Sequence, residues 1–360
     1  MSAGDGHKDV VETFDGREGQ QPLLILDRLE AFLDAEGIGT GPLGWSRIGE
    51  GQSNVTYRIT RGKEDLVLRR GPRPPLPRST HDMVREARIQ RLLMNEGFPV
   101  PNIVASSTDD SILGVPFYVM DFLEGEVITG NSPRQLVSAE SKRLTSEQTV
   151  DTLVQLHSLD VSAGPLSTLG RPDGYLKRQV DRFSSLWEVN TLRSLPQVAA
   201  LGSWLESNLP DTQRHSLIHG DYRMGNLMFT DSPTPSVLAV LDWEMATLGD
   251  PLADLGYLLA TYAERGEGPT VMELTSVTRE PGYFARTDII KRYQERISLD
   301  LSALPWYQAL ALWKSSIFCE AIYTRWLKGE RPEDKTFAAT LEKGVPELLA
   351  KAQSFATQLV

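Results

Sequence analysis

Two runs of the chain hold the residues best suited to chemistry. The first is Leu217-Ile218-His219-Gly220-Asp221-Tyr222-Arg223-Met224-Gly225-Asn226-Leu227 and the second is Val240-Leu241-Asp242-Trp243-Glu244. A carboxylate and a carboxamide five positions apart, with a further carboxylate sixteen positions after the amide, suit phosphoryl transfer. That reaction needs a group to orient or accept the proton of the attacking hydroxyl, and oxygen ligands for the magnesium ions that bridge the phosphates. Asp221 is the candidate base, and Asn226 and Asp242 are the candidate metal ligands. Arg223, two positions after the base, can reach toward the transferring phosphate. An Asx turn between two elements would explain Asp221 and Asn226 taken alone. Asp242, at the end of a following β segment, favours chemistry.

The elements that must position these residues fall into two groups. A helix follows Pro22, with Leu26, Leu29 and Leu33 at helical spacing and Gly37 as its stop. Extended segments are expected at 45–49, 55–60 and 65–70, then a proline-rich loop at 72–77, a helix at 82–94, and strands near 103–107 and 117–122. After Gly125 the chain turns helical. Thr145 and Gln148 read as a capping box before a helix carrying Leu153, Val154 and Leu156. Further helices are expected near 173–190, 197–208, 252–264, 287–298 and 306–328, with short β segments at 226–229 and 237–241. The organisation is a tail at 1–22, a small β-rich lobe at 23–123 and a larger helical lobe at 124–360.

Composition excludes several classes. The 360 residues are 40% hydrophobic and 24% charged, which is neither disordered nor membrane-bundle chemistry. The longest apolar runs fall far short of the roughly 20 residues a spanning helix needs. The first residues are small, polar and partly acidic, so no signal peptide is expected; the single cysteine, Cys319, fits a reducing compartment and a cytoplasmic location. A net charge of −11 argues against nucleic acid as partner. Residues 61–91 nevertheless carry a net +5, a local basic patch suited to an anion or to a solvated face. There is no Walker A run, no G-x-S-x-G elbow and no Cys/His cluster spaced for zinc. Gly39-Thr40-Gly41-Pro42-Leu43-Gly44 matches G-x-G-x-x-G but follows a helix and contains proline, the wrong setting for a dinucleotide site.

The interval from Asp221 to Asn226 is that of the kinase catalytic loop H-R-D-x-x-x-x-N. With Asp242, it resembles the aminoglycoside phosphotransferase family of kinase-like enzymes. The likeness extends through Gly51-Gln52-Ser53-Asn54, Leu66-Val67-Leu68-Arg69-Arg70, Arg85-Glu86, Gly97-Phe98-Pro99-Val100-Pro101, Tyr118 to Gly125, Gly174 to Gln179, and Leu248-Gly249-Asp250-Pro251-Leu252-Ala253-Asp254-Leu255. These pieces resemble the branch that includes the kinase domains fused to acyl-CoA dehydrogenases in animals and many free-standing bacterial proteins. Coverage runs from about residue 25 to 345. The resemblance implies an α+β, two-lobed protein-kinase-like fold, with a small antiparallel β-rich N-lobe containing one helix and a mainly helical C-lobe.

It also implies roles. Gly51, Gln52, Ser53 and Asn54 would turn over the phosphates of ATP, and Arg69, where kinases place a lysine, would pair with Glu86. An arginine is planar and bidentate, so phosphate geometry need not match that of a lysine; alternation leaves open whether Arg69 or Arg70 faces inward. Asp121, Phe122 and Leu123 would offer backbone groups to adenine, with Glu124 near the ribose. Asp254 would brace the catalytic loop, Asp250 would cap the next helix, and His219 and His157 would be structural. The cofactors implied are ATP and Mg2+.

Only twelve positions separate Asp242 from Asp254, with no D-F-G and no A-P-E, too few for a peptide-holding activation segment. A small-molecule acceptor is favoured, with Tyr222, Trp243, Glu244, Tyr283, Glu320, Tyr323 and Trp326 as candidate linings. A polycationic aminoglycoside would want an acidic pocket. A hydroxyacyl-CoA would want cations, for which Arg73, Arg78 and Lys177 are candidates. The competing class is a nucleotide-binding pseudokinase acting as a regulatory or interaction module; it predicts loss of the base or a metal ligand, and all three are present.

Overall fold

The computed structural model describes residues 10–11, 22–48, 54–73, 82–330, 334 and 336–359. The chain divides into two compact units, Met1–Glu124 and Gly125–Val360. Gly51, Gln52, Ser53 and Arg78 lie outside the described residues.

The first unit runs β1 (Val10–Val11), β2 (Leu24–Ile25), α1 (Leu26–Ala35), β3 (Gly44–Arg47), β4 (Val55–Arg61), β5 (Glu64–Arg70), α2 (Met83–Asn95), β6 (Ile103–Ser107), α3 (Asp110–Leu113) and β7 (Phe117–Asp121). Five strands form one antiparallel sheet in the order β3-β4-β5-β7-β6. Alternation gives each strand two faces. On one, Tyr57, Ile59, Leu66, Leu68, Phe117 and Val119 pack with Leu29 and Leu33 of α1. On the other, Tyr118 and Ile103 pack with Met83 and Ala87 of α2.

Alternation also separates the two arginines at the end of β5. Arg70 shares the face of Leu66 and Leu68 and is buried, donating to the carbonyls of Leu23, Leu113 (3.0 Å) and Gly71 (2.9 Å). Burial lowers its guanidinium to about 10. Arg69, on the α2 face, pairs with Glu86. Arg70→Met should leave three carbonyls without their donor and cost about 2–4 kcal/mol, read as a lower thermal midpoint. An unchanged midpoint would mean that this arginine is not a structural tie. Arg61 is likewise structural, donating to Gly41 O (3.0 Å) and pairing with Asp34, so the basic stretch is partly internal scaffolding.

The second unit continues with β8 (Glu126–Val127), α4 (Ala139–Ser158), α5 (Tyr175–Asn190), α6 (Pro196–Ser207), β9 (Ser216–Ile218), β10 (Leu227–Phe229), β11 (Val237–Val240), β12 (Thr247–Gly249), α7 (Leu252–Thr261), α8 (Arg286–Gln294), α9 (Leu304–Leu327) and α10 (Phe337–Ala356). The central helix α9 buries residues around most of its circumference and packs against α5, α6, α7 and α10. The start of α4 corrects the expected capping box: Ser138 is the N-cap, accepting from Ser141 N at 3.0 Å. Thr145 lies a turn and a half inside the helix and donates to Ser141 O. Helix α10 has no counterpart among the expected elements. No helix among the described residues is long and apolar enough to cross a membrane.

Two small antiparallel pairings shape the site. Strands β9 and β12 pair with Leu217 opposite Leu248, and β10 pairs with β11 with Leu227 opposite Val240. The loop 219–226 therefore leaves one pair and enters the other. Its two ends are fixed by different strands of the same unit.

Candidate active site

The loop between β9 and β10 is held from below by a carboxylate. Asp254, in the first turn of α7, accepts from His219 N at 2.6 Å and from Gly220 N at 2.8 Å. Burial alone would raise this acid, but the hydrogen bond from His157, the electrostatic pull of the two imidazoles and the His219 amide outweigh it and hold it below its ordinary value. His157 also meets Tyr293 Oη at 2.9 Å, a fully satisfied core histidine. Gly220 has φ +85°, and a Cβ there would lie 2.8 Å from Met245 Cβ. Glycine is required for both reasons.

His219 then fixes the loop to the neighbouring strand. Its Nδ1 accepts from Asp221 N at 3.2 Å, so its Nε2 is the nitrogen that donates to Leu241 O at 2.8 Å. Leu241 N in turn donates to Asn226 O at 2.8 Å. Both ends of the loop are thus tied to Leu241, the residue before Asp242. Asn226 Nδ2 closes the loop on itself, donating to Asp221 O (2.8 Å) and Asp221 Oδ2 (2.9 Å). Asp221 Oδ1 is buried without a hydrogen-bond partner. An acceptor oxygen left so costs about 1–3 kcal/mol, which a hydroxyl donor would relieve.

Arg223 Nε lies 3.7 Å from Asp221 Oδ2. Its guanidinium folds over Gly225, where any Cβ would collide with Nη1. Thr275 Oγ1, buried and without a hydrogen-bond partner, stands 3.3 Å from the same Cβ position. Asp242 has φ +66°, the one positive φ at a non-glycine among the described residues, and opens a 3-10 turn Trp243–Met245.

The donor set fits a magnesium ion. With Asn226 Nδ2 engaged by Asp221, the amide oxygen is the atom it would offer a metal, and Asp242 would supply a carboxylate. Among the described residues no group of three or more His, Cys, Asp or Glu forms a cage. Magnesium in phosphoryl-transfer sites takes few protein oxygens beside phosphate and water, so two suffice.

In the first unit, Arg69 Nε lies 3.3 Å from Glu86 Oε2, with Glu86 buried on α2. Tyr118 Oη donates to the same oxygen at 3.2 Å and accepts from Gln90 at 3.3 Å. Burial and the Glu86 charge push the Tyr118 phenol well up. Asn54 is buried just before β4. Of the three candidate amides after β7, Asp121 N donates to Asn102 O and Phe122 N to Asp65 O. Leu123 N is the one of the three with no hydrogen bond among the described residues. The Phe122 ring carries the Arg58 guanidinium 3.9 Å from its centroid.

Several expected acceptor linings turn out to be packing. Tyr222 is fully buried and donates to Thr149 O at 2.7 Å, and Trp243 donates to Val240 O at 2.9 Å. Glu320 is buried against Arg193, whose guanidinium also covers Tyr323, and Tyr323 stacks on Trp326. Tyr283 meets Ser132. Lys177 pairs with Asp181 and Glu206. Sequence reasoning missed Tyr257, one turn beyond Asp254 on α7, whose phenol is raised by burial and by Asp221. The i, i+3 spacing from Asp254 was the available signal.

The model of the family described as "Phosphotransferase enzyme family" matches residues 44–285. Acyl-CoA dehydrogenase family member 11 of Rattus norvegicus is 32% identical over 341 residues, 92% of this chain and 43% of the relative. That of Gallus gallus is 34% identical over 331 residues, 88% of this chain and 42% of the relative. The chain thus spans less than half the length of these relatives. A crystal structure of a Ralstonia eutropha JMP134 protein assigned to the aminoglycoside phosphotransferases superposes with a TM-score of 0.76 at 26% identity, covering 92% of this chain and 98% of that one. Choline kinase of Cryptosporidium parvum superposes at 0.60 with 14% identity, covering 88% and 90%, a likeness of fold alone. The fold is kinase-like.

Proposed function

The chain belongs to the phosphotransferase enzyme family, and from that premise we propose that it moves the γ-phosphate of ATP, with Mg2+, onto a hydroxyl of a small molecule. Met1–Glu124 would serve as the nucleotide unit and Gly125–Val360 as the catalytic and acceptor unit. Magnesium-bound ATP supplies the phosphoryl group and offsets the charge on its oxygens. The observation that carries the reading is the state of Asp221: one carboxylate oxygen engaged by Asn226, the other buried outside any well-formed hydrogen bond with the Tyr257 phenol beside the carboxylate, on a loop pinned at both ends.

Each residue then has a task. Asp221 Oδ1 receives the acceptor's O–H, which orients the oxygen for attack and provides a place for the proton as the new O–P bond forms and the bond to the leaving oxygen breaks. Asn226 and Asp242 would hold the metal through oxygen. Arg223, kept close by Gly225, lies against the transferring charge. Arg69, steadied by Glu86 and Tyr118, holds phosphate oxygens, and the backbone at Leu123 is available to adenine. The reading places the protein in the cytoplasm, with a small-molecule acceptor as its partner rather than nucleic acid or membrane. The acceptor is an aminoglycoside-type or a hydroxyacyl-CoA-type molecule.

ADP release with magnesium and ATP across aminoglycosides, choline-like alcohols, sugars, hydroxy acids and hydroxyacyl-CoA thioesters tests this. An acceptor-dependent rate is expected. Nucleotide binding without turnover on any acceptor would favour a pseudokinase, and no nucleotide binding would remove the reading.

A further inference from the structure

Most buried or half-buried cations of the second unit face an acid. Arg193 meets Glu320, Arg279 meets Glu273 and Arg292 meets Asp151. The seam between α5 and α9 is different. Lys314, half-buried on α9, donates to Gln179 Oε1 at 2.9 Å and lies 4.9 Å from the Phe183 ring centroid. No carboxylate stands within ion-pair distance of it among the described residues. Arg182, one turn after Gln179 on the same helix, is exposed and has no hydrogen bond or ion pair among the described residues.

Beyond the bond between Lys314 and Gln179, the three side chains leave only donor groups unengaged. Gln179 has its oxygen engaged by Lys314, so its amide N–H groups remain. Lys314 and Arg182 have no acceptor function at all. Two cations share this place with no acid between them, in a chain of net charge −11. Burial brings the Lys314 ammonium down to about 8, with the Arg182 charge adding to this and the Asp254 charge opposing it. Helix α5 packs against both α9 and β12, and β12 pairs with β9, the strand that leads into the catalytic loop, so the seam and the loop are built on the same strands. Tyr175, the first residue of α5, gives a second bearing. Its ring lies 2.9 Å from where a Cβ on Gly249 of β12 would stand, so the start of α5 is seated on that strand. Phe318, one turn after Lys314, is 61% exposed and offers an apolar wall.

We propose that Lys314, Arg182 and the Gln179 amide form an anion subsite of the acceptor pocket, which receives a carboxylate or phosphate group carried by the acceptor at the end opposite its reacting hydroxyl. This rests on the phosphotransferase reading for the hydroxyl, though the subsite itself is a statement about binding. It sets the acceptor class apart from polycations, whose amines would meet two like charges here.

Chain-matched probes test it: 6-hydroxyhexanoate, 6-hydroxyhexyl phosphate and 6-amino-1-hexanol. Their binding to the full-length protein with magnesium and a non-hydrolysable ATP analogue is read by saturation-transfer NMR, and their turnover by ADP release. The anionic probes should bind at least about tenfold more tightly than the amine, the size of one charge-assisted contact. The stronger of the two identifies the anion. Arg182→Ala, an exposed change, and Lys314→Met should each reduce that ratio severalfold, and the double variant should abolish it. Equal or tighter binding of the amine, a ratio unmoved by both variants, or no binding of any probe would overturn the subsite. Anion binding lost in the variants but with no turnover of any acceptor would keep the subsite and remove the phosphotransferase reading. Turnover of a polycation with the ratio unmoved would do the reverse.

Discussion

Asp221→Asn should lower kcat by about 10²–10⁴-fold, the usual span for a lost general base, while the affinity for ATP stays within about twofold. The amide keeps the volume and can still accept from Asn226, so the loop holds its shape. What it loses is the oxygen that now stands buried without a hydrogen-bond partner. ADP formation under saturating acceptor, beside a nucleotide titration, separates the two effects. A variant that keeps its rate on a true acceptor would move the base elsewhere.

Asp254→Ala should be the more damaging change to the molecule as a whole. Two amides, His219 N and Gly220 N, would lose their acceptor in a dry place, and His157 would lose its partner. The expected cost is about 3 kcal/mol, with a thermal midpoint lower by roughly 6–12 °C, and activity should fall with the loop's disorder. Asp254→Asn, which retains one carbonyl oxygen, should recover part of both.

The effect has a pH signature. The folded state holds this acid below its unfolded value, near 3.9 for aspartate, so its contribution is complete above that value. It fades as pH falls through the folded value. The difference between the wild type and Asp254→Ala in chemical denaturation should therefore be constant near neutrality and narrow below about pH 4. A gap that widens on acidification would contradict the assignment.

The chemistry of the loop was legible because spacing alone delivers it. Five positions from Asp221 bring the Asn226 amide back onto the carboxylate, and a glycine next to the base allows the sharp entry at φ +85°. The helices with regular apolar spacing were legible too, to within a few residues. Helix α10 was not, since Gly344 and Pro346 stand inside it as apparent breakers. The glycine fits because a Cβ would collide with Val271, and the helix continues through its buried Leu341, Val345, Leu348 and Leu349. Strands β9 and β12 are three residues each and exist only through one another, so no local pattern marks them. The choice between Arg69 and Arg70 needed the partner elements. Alternation divides the pair, but only the positions of α1 and α2 decide which face is dry packing and which meets Glu86. Tyr222 and Trp243 were misjudged for the same reason, because an aromatic beside a functional residue points where the backbone sends it.

The left-handed backbone at Asp242 bears on how this protein responds to selection. An L-residue other than glycine held at φ +66° forgoes roughly 1–2 kcal/mol. A glycine there would relieve the strain at the cost of its own chain entropy and of the contacts the Asp242 side chain makes, and a directed-evolution campaign that rewards heat resistance alone would sample Asp242→Gly. The same step removes the carboxylate proposed to hold the metal. Melting temperature and turnover would then diverge at a single codon, and a library scored on both would hold this position fixed while its neighbours drift.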